Sequence, residues 1–212
     1  MISVEALRAL PKVELHRHLD GSVRLTTMLD IAREHHLDLG ASSEEELGRR
    51  VTIREPKRDL TEVLAGFATI QKVLCSYPAI RRVAFENVED AWLDGVRLAE
   101  LRFAPAFIAA GKDLEPAGII GAVLDGVADG LAAYPIDVGL IGIVPRDYGP
   151  EANRRATAEL IRLSRGSHPI ASRLCGFDLA SAEASTDPRD FVPLVDAARE
   201  AGLGITIHSG EN

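Results

Sequence analysis

Five short apolar stretches alternate along the chain with amphipathic helical patterns, and this alternation limits the folds that the chain can adopt. The predicted strands are residues 13–19, 96–103, 136–144, 171–179 and 203–208. The predicted helices are residues 25–36, 60–75, 80–94, 115–133, 150–165 and 188–201. Near-continuous apolar strands that alternate with helices are typical of a parallel sheet whose strands are joined by helical crossovers. We therefore predict an α/β fold.

Several of the predicted helices have recognisable first or last residues. Asp59 is placed to cap one helix, with Glu62 three residues later, and Asp187 is placed to cap another, with Pro188 at its first position. Gly202 follows the last pattern, where a glycine commonly ends a helix. These local signals support the helix assignments independently of their apolar periodicity.

The number of predicted strands leaves two architectures open. A closed (β/α) barrel needs eight strands, and an apolar parallel edge left bare after the fifth would be a liability. The chain is therefore either an open doubly wound sheet or a C-terminally incomplete part of a barrel, in one domain spanning residues 1–212. Residues 22–95 contain three helical patterns and no predicted strand, so we expect a helical insertion that forms a lid.

Composition and charge exclude some classes of partner. The 212 residues have a formal net charge of −8, which disfavours the phosphate backbone of a nucleic acid as the main partner. The longest apolar run, residues 138–144, has the length of a strand and not the ~20 residues of a membrane span. Cys75 and Cys175 make no disulfide framework and the N-terminus lacks a signal-peptide pattern, so a cytoplasmic location is expected. The oligomeric state is left open.

Histidines stand at the ends of the first and the last predicted strand. His16 and His18 are two residues apart, and alternate residues of a strand point to the same face, so both imidazoles can aim at one point. His208 ends the last strand, and Glu211 follows three residues later. A metal ion held by imidazoles lowers the pKa of a bound water, and a nearby carboxylate can move its proton. A lone histidine is more often structural, but the two motifs together predict a metal site.

Two other patterns are expected to be structural. Glu100 and Arg102 are two residues apart on the second predicted strand, which predicts a buried ion pair between them. Phe67, Ile70 and Leu74 recur at helical spacing, which predicts packing within the lid.

Four sequence motifs resemble, in the same order, those of the adenosine deaminase family of metal-dependent amidohydrolases. They are PKVELHRHLDGS at 11–22, ENVED at 86–90 with ELRFAP at 100–105, GFDLA at 176–180 and HSGE at 208–211. The resemblance runs the length of the chain. It implies a TIM (β/α) barrel of the amidohydrolase type, with about the first five strands present. It also implies an enzyme that hydrolyses adenosine, or a similar adenine nucleoside, to the inosine-type product and ammonia.

The resemblance further implies roles for individual residues. Three histidines fall on positions of the family's zinc ligands, for one Zn²⁺ per chain: His16, His18 and His208. Glu211 falls on the carboxylate that moves protons and protonates the purine ring. Asp20 falls on a residue that hydrogen-bonds a ribose hydroxyl, and Gly21 and Ser181 fall on further substrate-binding positions. The expected partner is a small purine nucleoside.

Departures from the family pattern leave alternatives open. Ser181 stands where the fourth-strand motif usually has a glycine beside the purine, and Ala182 stands where an acidic residue is usual. A modified adenine nucleoside similar to aminodeoxyfutalosine is therefore an alternative substrate. The family also takes a further histidine and two aspartates, one of them a metal ligand, from strands that this sequence does not contain. A catalytically inactive purine-binding fragment is the other alternative, and activity of the 212 residues alone is left open.

Overall fold

The computed structural model describes residues 2–211, apart from the side chains of Leu60, Thr61, Ala65 and Ser185, and contains one parallel sheet of five strands. The strands are β1 (Lys12–His18), β2 (Val96–Phe103), β3 (Asp137–Pro145), β4 (Leu174–Ala180) and β5 (Gly204–Ile207). Their order in the sheet is their order in the chain, and every neighbouring pair is parallel. A doubly wound sheet would reverse the direction of strand addition, so the prediction of a partial (β/α) barrel is confirmed and the open-sheet alternative is wrong.

Nine α-helices lie among the described residues. They are α1 (Val4–Ala9), α2 (Leu25–Glu34), α3 (Glu44–Val51), α4 (Leu60–Val73), α5 (Tyr77–Leu93), α6 (Pro105–Ala109), α7 (Pro116–Ala133), α8 (Gly149–Ser164) and α9 (Val192–Glu200). Short 3₁₀ turns are Leu19–Gly21, Arg146–Tyr148, Ala171–Arg173, Glu183–Ser185 and Pro188–Phe191.

The predicted helix ends are confirmed where short-range hydrogen bonds define them. Asp59 accepts a hydrogen bond from the Glu62 amide at 3.0 Å, and Asp187 accepts one from the Arg189 amide at 2.9 Å. Gly202 has φ +87°, a left-handed conformation that glycine adopts without strain. Local chemistry thus defines these boundaries.

Three local predictions are corrected by the structure. Residues 22–95 contain four helices and not three, because Ser43 caps the additional helix α3 by accepting a hydrogen bond from the Glu46 amide. The predicted helix at 188–201 begins as a 3₁₀ turn and becomes α-helical only at Val192. The predicted strand at 171–179 also begins late, since Ala171–Arg173 form a 3₁₀ turn before β4.

Glycines let two helices outside the sheet approach closely. A Cβ on Gly126 of α7 would lie 2.2 Å from the carbonyl oxygen of Arg81, and one on Gly130 would lie 2.6 Å from the Cβ of Val88, both in α5.

Among the described residues, α7 is the one helix long and apolar enough to cross a membrane by length and composition. Half of it is buried here, and the core helix of a globular protein passes the same test.

The strands alternate between a face covered by helices and a face that carries polar groups. Buried apolar side chains of the helix-covered face include Ala99, Leu101, Phe103, Val138, Leu140, Phe177 and Leu179. Arg102 and Asp178 belong to the opposite face, where they contact one another across the sheet. His18 lies opposite Arg102 and Ile207 lies opposite Leu179, so the carboxyl ends of the strands share one edge. This edge holds the predicted site.

The two outermost strands expose apolar side chains. Val13 and Leu15 of β1 are 62% and 56% exposed, and Ile207 of β5 is 54% exposed. Neither outer edge pairs with a further strand among residues 2–211. The described half-barrel therefore ends in two apolar edges, of which the strand count had predicted only the one at β5.

Candidate active site

The structure brings His208 to the pair His16 and His18, which lie about 190 residues earlier in the sequence. The Nε2 atoms of His16 and His208 lie 2.9 Å apart, and the Nε2 atom of His18 lies 3.2 Å from each of them. The strand geometry accounts for the convergence, because β1 presents two imidazoles on one face and β5 brings the third to the same edge of the sheet. Their role as metal ligands stays a prediction.

The arrangement of these nitrogens fits a tetrahedral metal ion. Zinc binds imidazole nitrogen at about 2.0–2.1 Å, which puts two nitrogens of a tetrahedral site about 3.3 Å apart. Burial, together with the charges of the neighbouring imidazoles, lowers the pKa of His18 to about 4. Burial also lowers the pKa of His16, and the Arg102 charge acts in the same sense. Both rings are therefore neutral at pH 7, which is the form that binds metals.

A buried carboxylate behind His208 orients its ring. Asp178 of β4 is fully buried, and its Oδ2 atom accepts a hydrogen bond from Nδ1 of His208 at 2.9 Å. Burial alone would raise the pKa of Asp178, but the His208 hydrogen bond and the Arg102 charge together hold it below its ordinary value. Asp178 was not predicted as a site residue, although its position in the GFDLA motif at the end of a predicted strand was the available signal.

Arg102 is buried as predicted, but its predicted partner is wrong. The guanidinium donates from Nη1 to Oδ2 of Asp178 at 2.8 Å, two strands away, and not to Glu100 on its own strand. The curled sheet explains the difference, because curvature brings side chains on the polar face of β2 and β4 within contact distance. Residues two apart on one strand are separated by about 7 Å along it.

A cavity of 460 Å³ adjoins the histidines, and its size is typical of a small-molecule site. Six of the seven predicted site residues line it: His16, His18, Asp20, Ser181, His208 and Glu211. Its apolar wall comes mainly from Val63, Leu64 and Phe67 of α4, with Phe107 of α6 and Ile143 of β3. The helix α4 of the predicted lid thus contributes one side of the cavity.

Asp20 is almost completely buried beside this cavity. Its Oδ2 atom accepts a hydrogen bond from the Ala104 amide at 3.0 Å, whereas its Oδ1 atom has no hydrogen-bond partner among the described residues. Burial raises the pKa of Asp20 to about 6. The free Oδ1 atom is a strong acceptor for a donor on a ligand.

Gly21 follows Asp20 but does not line the cavity. A Cβ at this position would lie 2.6 Å from Cε1 of Phe67, so a side chain here would displace the aromatic ring that lines the wall. Phe67 in turn stacks edge-on against His18, with 6.1 Å between the ring centres. The predicted contact of Gly21 with a substrate stays a prediction.

Ser181 occupies a backbone conformation that favours glycine. Its φ is +76°, and its hydroxyl donates to Oδ2 of Asp147 at 2.8 Å. Arg146, which the sequence analysis missed, donates from Nη1 to the Ser181 carbonyl at 3.1 Å and from Nη2 to the His208 carbonyl at 2.7 Å. The turn after β3 therefore holds the ends of β4 and β5 together.

Glu211 lies at the exposed side of the cavity. Its backbone amide donates to Oε1 of Glu183 at 2.8 Å, which anchors the segment after β5 to the turn after β4. The negative charge of Glu211 raises the pKa of His16, whereas burial, which is the larger effect, lowers it. A carboxylate therefore stands beside the histidine cluster, where proton transfer would require it.

Comparison with known proteins connects this geometry with one family. The family model described as adenosine deaminase matches residues 11–212. A relative named adenosine deaminase from Erwinia tasmaniensis is 42% identical over 202 residues, which are 95% of this chain and 59% of the relative. Another, from Klebsiella pneumoniae, is 38% identical over 203 residues, which are 96% of this chain and 59% of the relative. The chain thus spans about three fifths of the curated relatives that it matches.

Solved structures agree with the fold. The Arabidopsis protein ADAL in complex with GMP matches with a TM-score of 0.77 at 25% identity, over 98% of this chain and 60% of that chain. An amidohydrolase from Burkholderia ambifaria with bound zinc matches with a TM-score of 0.81 at 24% identity, over 98% of this chain and 54% of that chain, and bears on the fold alone. Since the family model covers nearly all of the sequence and the motifs meet around one cavity, this chain belongs to the adenosine deaminase family.

Proposed function

We propose that this chain carries the metal-binding and proton-transferring part of a hydrolase that deaminates adenosine, or a similar adenine nucleoside, to the inosine-type product and ammonia. One observation carries the proposal: three imidazole Nε2 atoms and Glu211 meet at a cavity of 460 Å³. The family membership and the name adenosine deaminase of the matched relatives support the choice of reaction.

The histidines are proposed to hold a single Zn²⁺ ion, with Nε2 of each ring as the ligand atom. When bound, the ion would act as a Lewis acid that activates the attacking water at neutral pH. The chain's own contribution is to lower the pKa of His16 and His18, chiefly by burial, so that both rings stay neutral, and to fix the orientation of the rings. His208 is oriented most firmly, because Asp178 accepts the proton on its Nδ1 atom.

Glu211 is proposed to carry the protons of the reaction. Its carboxylate would accept a proton from the attacking water and deliver one to the purine ring nitrogen next to the amine-bearing carbon. General acid–base groups of this kind contribute about 10²–10⁴-fold to a rate. Its position beside His16 and on the cavity wall supports this role.

The remaining cavity residues are proposed to bind the nucleoside. The Oδ1 atom of Asp20 accepts no hydrogen bond from the described residues, although Nδ1 of His18 lies 3.9 Å away, and it would accept one from a ribose hydroxyl. The side chains of Phe67, Phe107 and Ile143 would cover the apolar faces of the base and exclude water from it.

A cytoplasmic location is proposed as well, because Cys75 and Cys175 are both unpaired.

Zinc content and ammonia release from adenosine test this proposal on purified protein. The wild type is expected to bind one zinc per chain and to release ammonia, and Glu211→Gln is expected to keep the zinc but lose about 10²–10⁴-fold in kcat. Glu151→Gln, at an exposed residue of α8 that does not line the cavity, serves as the matched control and should change neither.

The outcomes separate the alternatives. Zinc binding with turnover only of a modified adenine nucleoside would revise the substrate. Stoichiometric zinc without turnover of any adenine nucleoside would leave a purine-binding fragment and refute the activity. An unchanged kcat in Glu211→Gln would remove this carboxylate from the mechanism.

A further inference from the structure

We propose that Arg102 is a positioning residue that joins the two halves of the histidine cluster across the sheet. The inference rests on the proposed function, since it takes the histidines as metal ligands. Arg102 is 3% exposed, and its guanidinium donates hydrogen bonds in two directions. Its Nη2 atom donates to the carbonyl of Leu15 at 2.9 Å, and its Nη1 atom donates to Oδ2 of Asp178 at 2.8 Å.

The first bond reaches the half of the cluster on β1. Leu15 directly precedes His16, and its side chain is exposed at the outer edge of the sheet. The register between β1 and β2 is irregular between Glu14 and Arg17, so regular backbone pairing does not define the position of this segment. The Arg102 bond to the Leu15 carbonyl supplies a constraint at the residue next to the ligand.

The second bond reaches the half of the cluster on β5. The Oδ2 atom of Asp178 accepts both the Arg102 guanidinium and, at 2.9 Å, Nδ1 of His208. A neutral imidazole that donates from Nδ1 keeps its lone pair on Nε2, which is the atom that faces His16. The Asp178 carboxylate therefore selects the tautomer of His208 that can bind a metal.

Arginine suits this position better than lysine would. A buried carboxylate needs a compensating cation, and the planar guanidinium presents several N–H donors in a fixed fork. Here one guanidinium donates hydrogen bonds to a backbone carbonyl on β1 and to a carboxylate on β4 at once. A lysine keeps the charge but holds the two acceptors less rigidly, which provides a graded variant for the test.

The tautomer of His208 is the first measurement, and it needs no bound metal. Nitrogen NMR of metal-free protein labelled on histidine distinguishes the Nδ1–H from the Nε2–H form at pH 8. We expect the wild type to show the Nδ1–H form at His208, and Asp178→Asn to lose this preference because an asparagine amide can donate to Nδ1 as well. A wild-type ring in the Nε2–H form would overturn the inference.

Zinc affinity, measured by competition with a chromophoric chelator, is the second measurement. Partners of metal-bound histidines typically change metal affinity by about 10–100-fold, and we expect a loss of this size in Asp178→Asn and Arg102→Met and a smaller loss in Arg102→Lys. Glu86→Gln is the matched control, because Glu86 is a buried carboxylate that accepts from Thr27 and Arg82 away from the cavity. It should bind zinc like the wild type.

Each outcome decides between the positioning role and a merely structural one. Equal zinc affinity in Arg102→Met, Asp178→Asn and wild type would refute the inference, as would an equal loss in Glu86→Gln. If Arg102→Met does not fold, as judged by circular dichroism, Arg102→Lys and the His208 tautomer decide. A wild type that binds no zinc would refute the proposed function, and the tautomer would then decide the inference alone.

Discussion

Replacing Asp20 by asparagine is expected to stabilise the metal-free protein at neutral pH. The carboxylate is 2% exposed, and one of its two oxygens has no hydrogen-bond partner among the described residues. Desolvation by burial raises its pKa from 3.8 to about 6. A charge that is better hydrated in the unfolded chain than in the folded one destabilises the fold. Asparagine keeps an oxygen for the Ala104 amide and removes the charge.

The magnitude depends on pH in a defined way. The unfolded chain ionises Asp20 at pH 3.8 and the folded chain at about pH 6, so the cost is absent below the first value and complete above the second. A shift of two units at 1.36 kcal/mol each makes the full cost about 3 kcal/mol at pH 7.5. By the same relation, the destabilisation caused by the Asp20 charge is about 1 kcal/mol at pH 4.5.

Urea and thermal unfolding in the presence of a chelator measure this difference. Asp20→Asn should raise the Tm by about 6–12 °C at pH 7.5, and by about a third of that at pH 4.5, for a chain of this length. Asp129→Asn is a control of opposite sign, because Arg81 lowers the pKa of the exposed Asp129 carboxylate. A gain from Asp20→Asn that is equal at both pH values, or a loss at pH 7.5, would refute the desolvation argument.

Two further predictions concern backbone conformation. Gly95→Ala and Gly202→Ala both place alanine at a positive φ, which costs about 1–2 kcal/mol, but only at Gly95 would the Cβ also meet a backbone oxygen, at 2.2 Å. Gly95→Ala should therefore lower the free energy of unfolding in urea by at least about 1 kcal/mol more than Gly202→Ala does. Equal losses of stability would contradict the clash. Ser181→Gly should remove a backbone strain of about 1 kcal/mol. It should also reduce the loss of stability caused by Asp147→Ala, and a double-mutant cycle of unfolding free energies measures this coupling. Additive losses would show that Asp147 does not hold Ser181 in its left-handed conformation.

Features that depend on neighbouring residues were predictable from the sequence by itself. The caps at Asp59 and Asp187 and the glycine at Gly202 involve hydrogen bonds or backbone angles within three residues, so their chemistry is readable from the chain. The common direction of His16 and His18 follows from the period of two in a strand. The motifs carry the family resemblance in the same local way.

The local patterns also had limits. The helix α3 lacks a long apolar stripe, because its first turn is Glu44 to Glu46 and its cap is a single serine, so periodicity did not predict it. The 3₁₀ turns before β4 and α9 were merged with those elements, since apolar periodicity does not distinguish a tight turn from the first residues of a strand or helix.

Only the tertiary structure decided which side chains meet across the sheet. Arg102 pairs with Asp178, 76 residues away, because the order and curvature of the strands determine that distance, whereas spacing along one strand had suggested Glu100. Strand order likewise decided between a doubly wound sheet and a partial barrel. The burial of Asp20 and the hydrogen bond that His208 donates to Asp178 also depend on tertiary structure. Their energies arise from desolvation and cross-strand contacts, which exist only once distant segments have packed together.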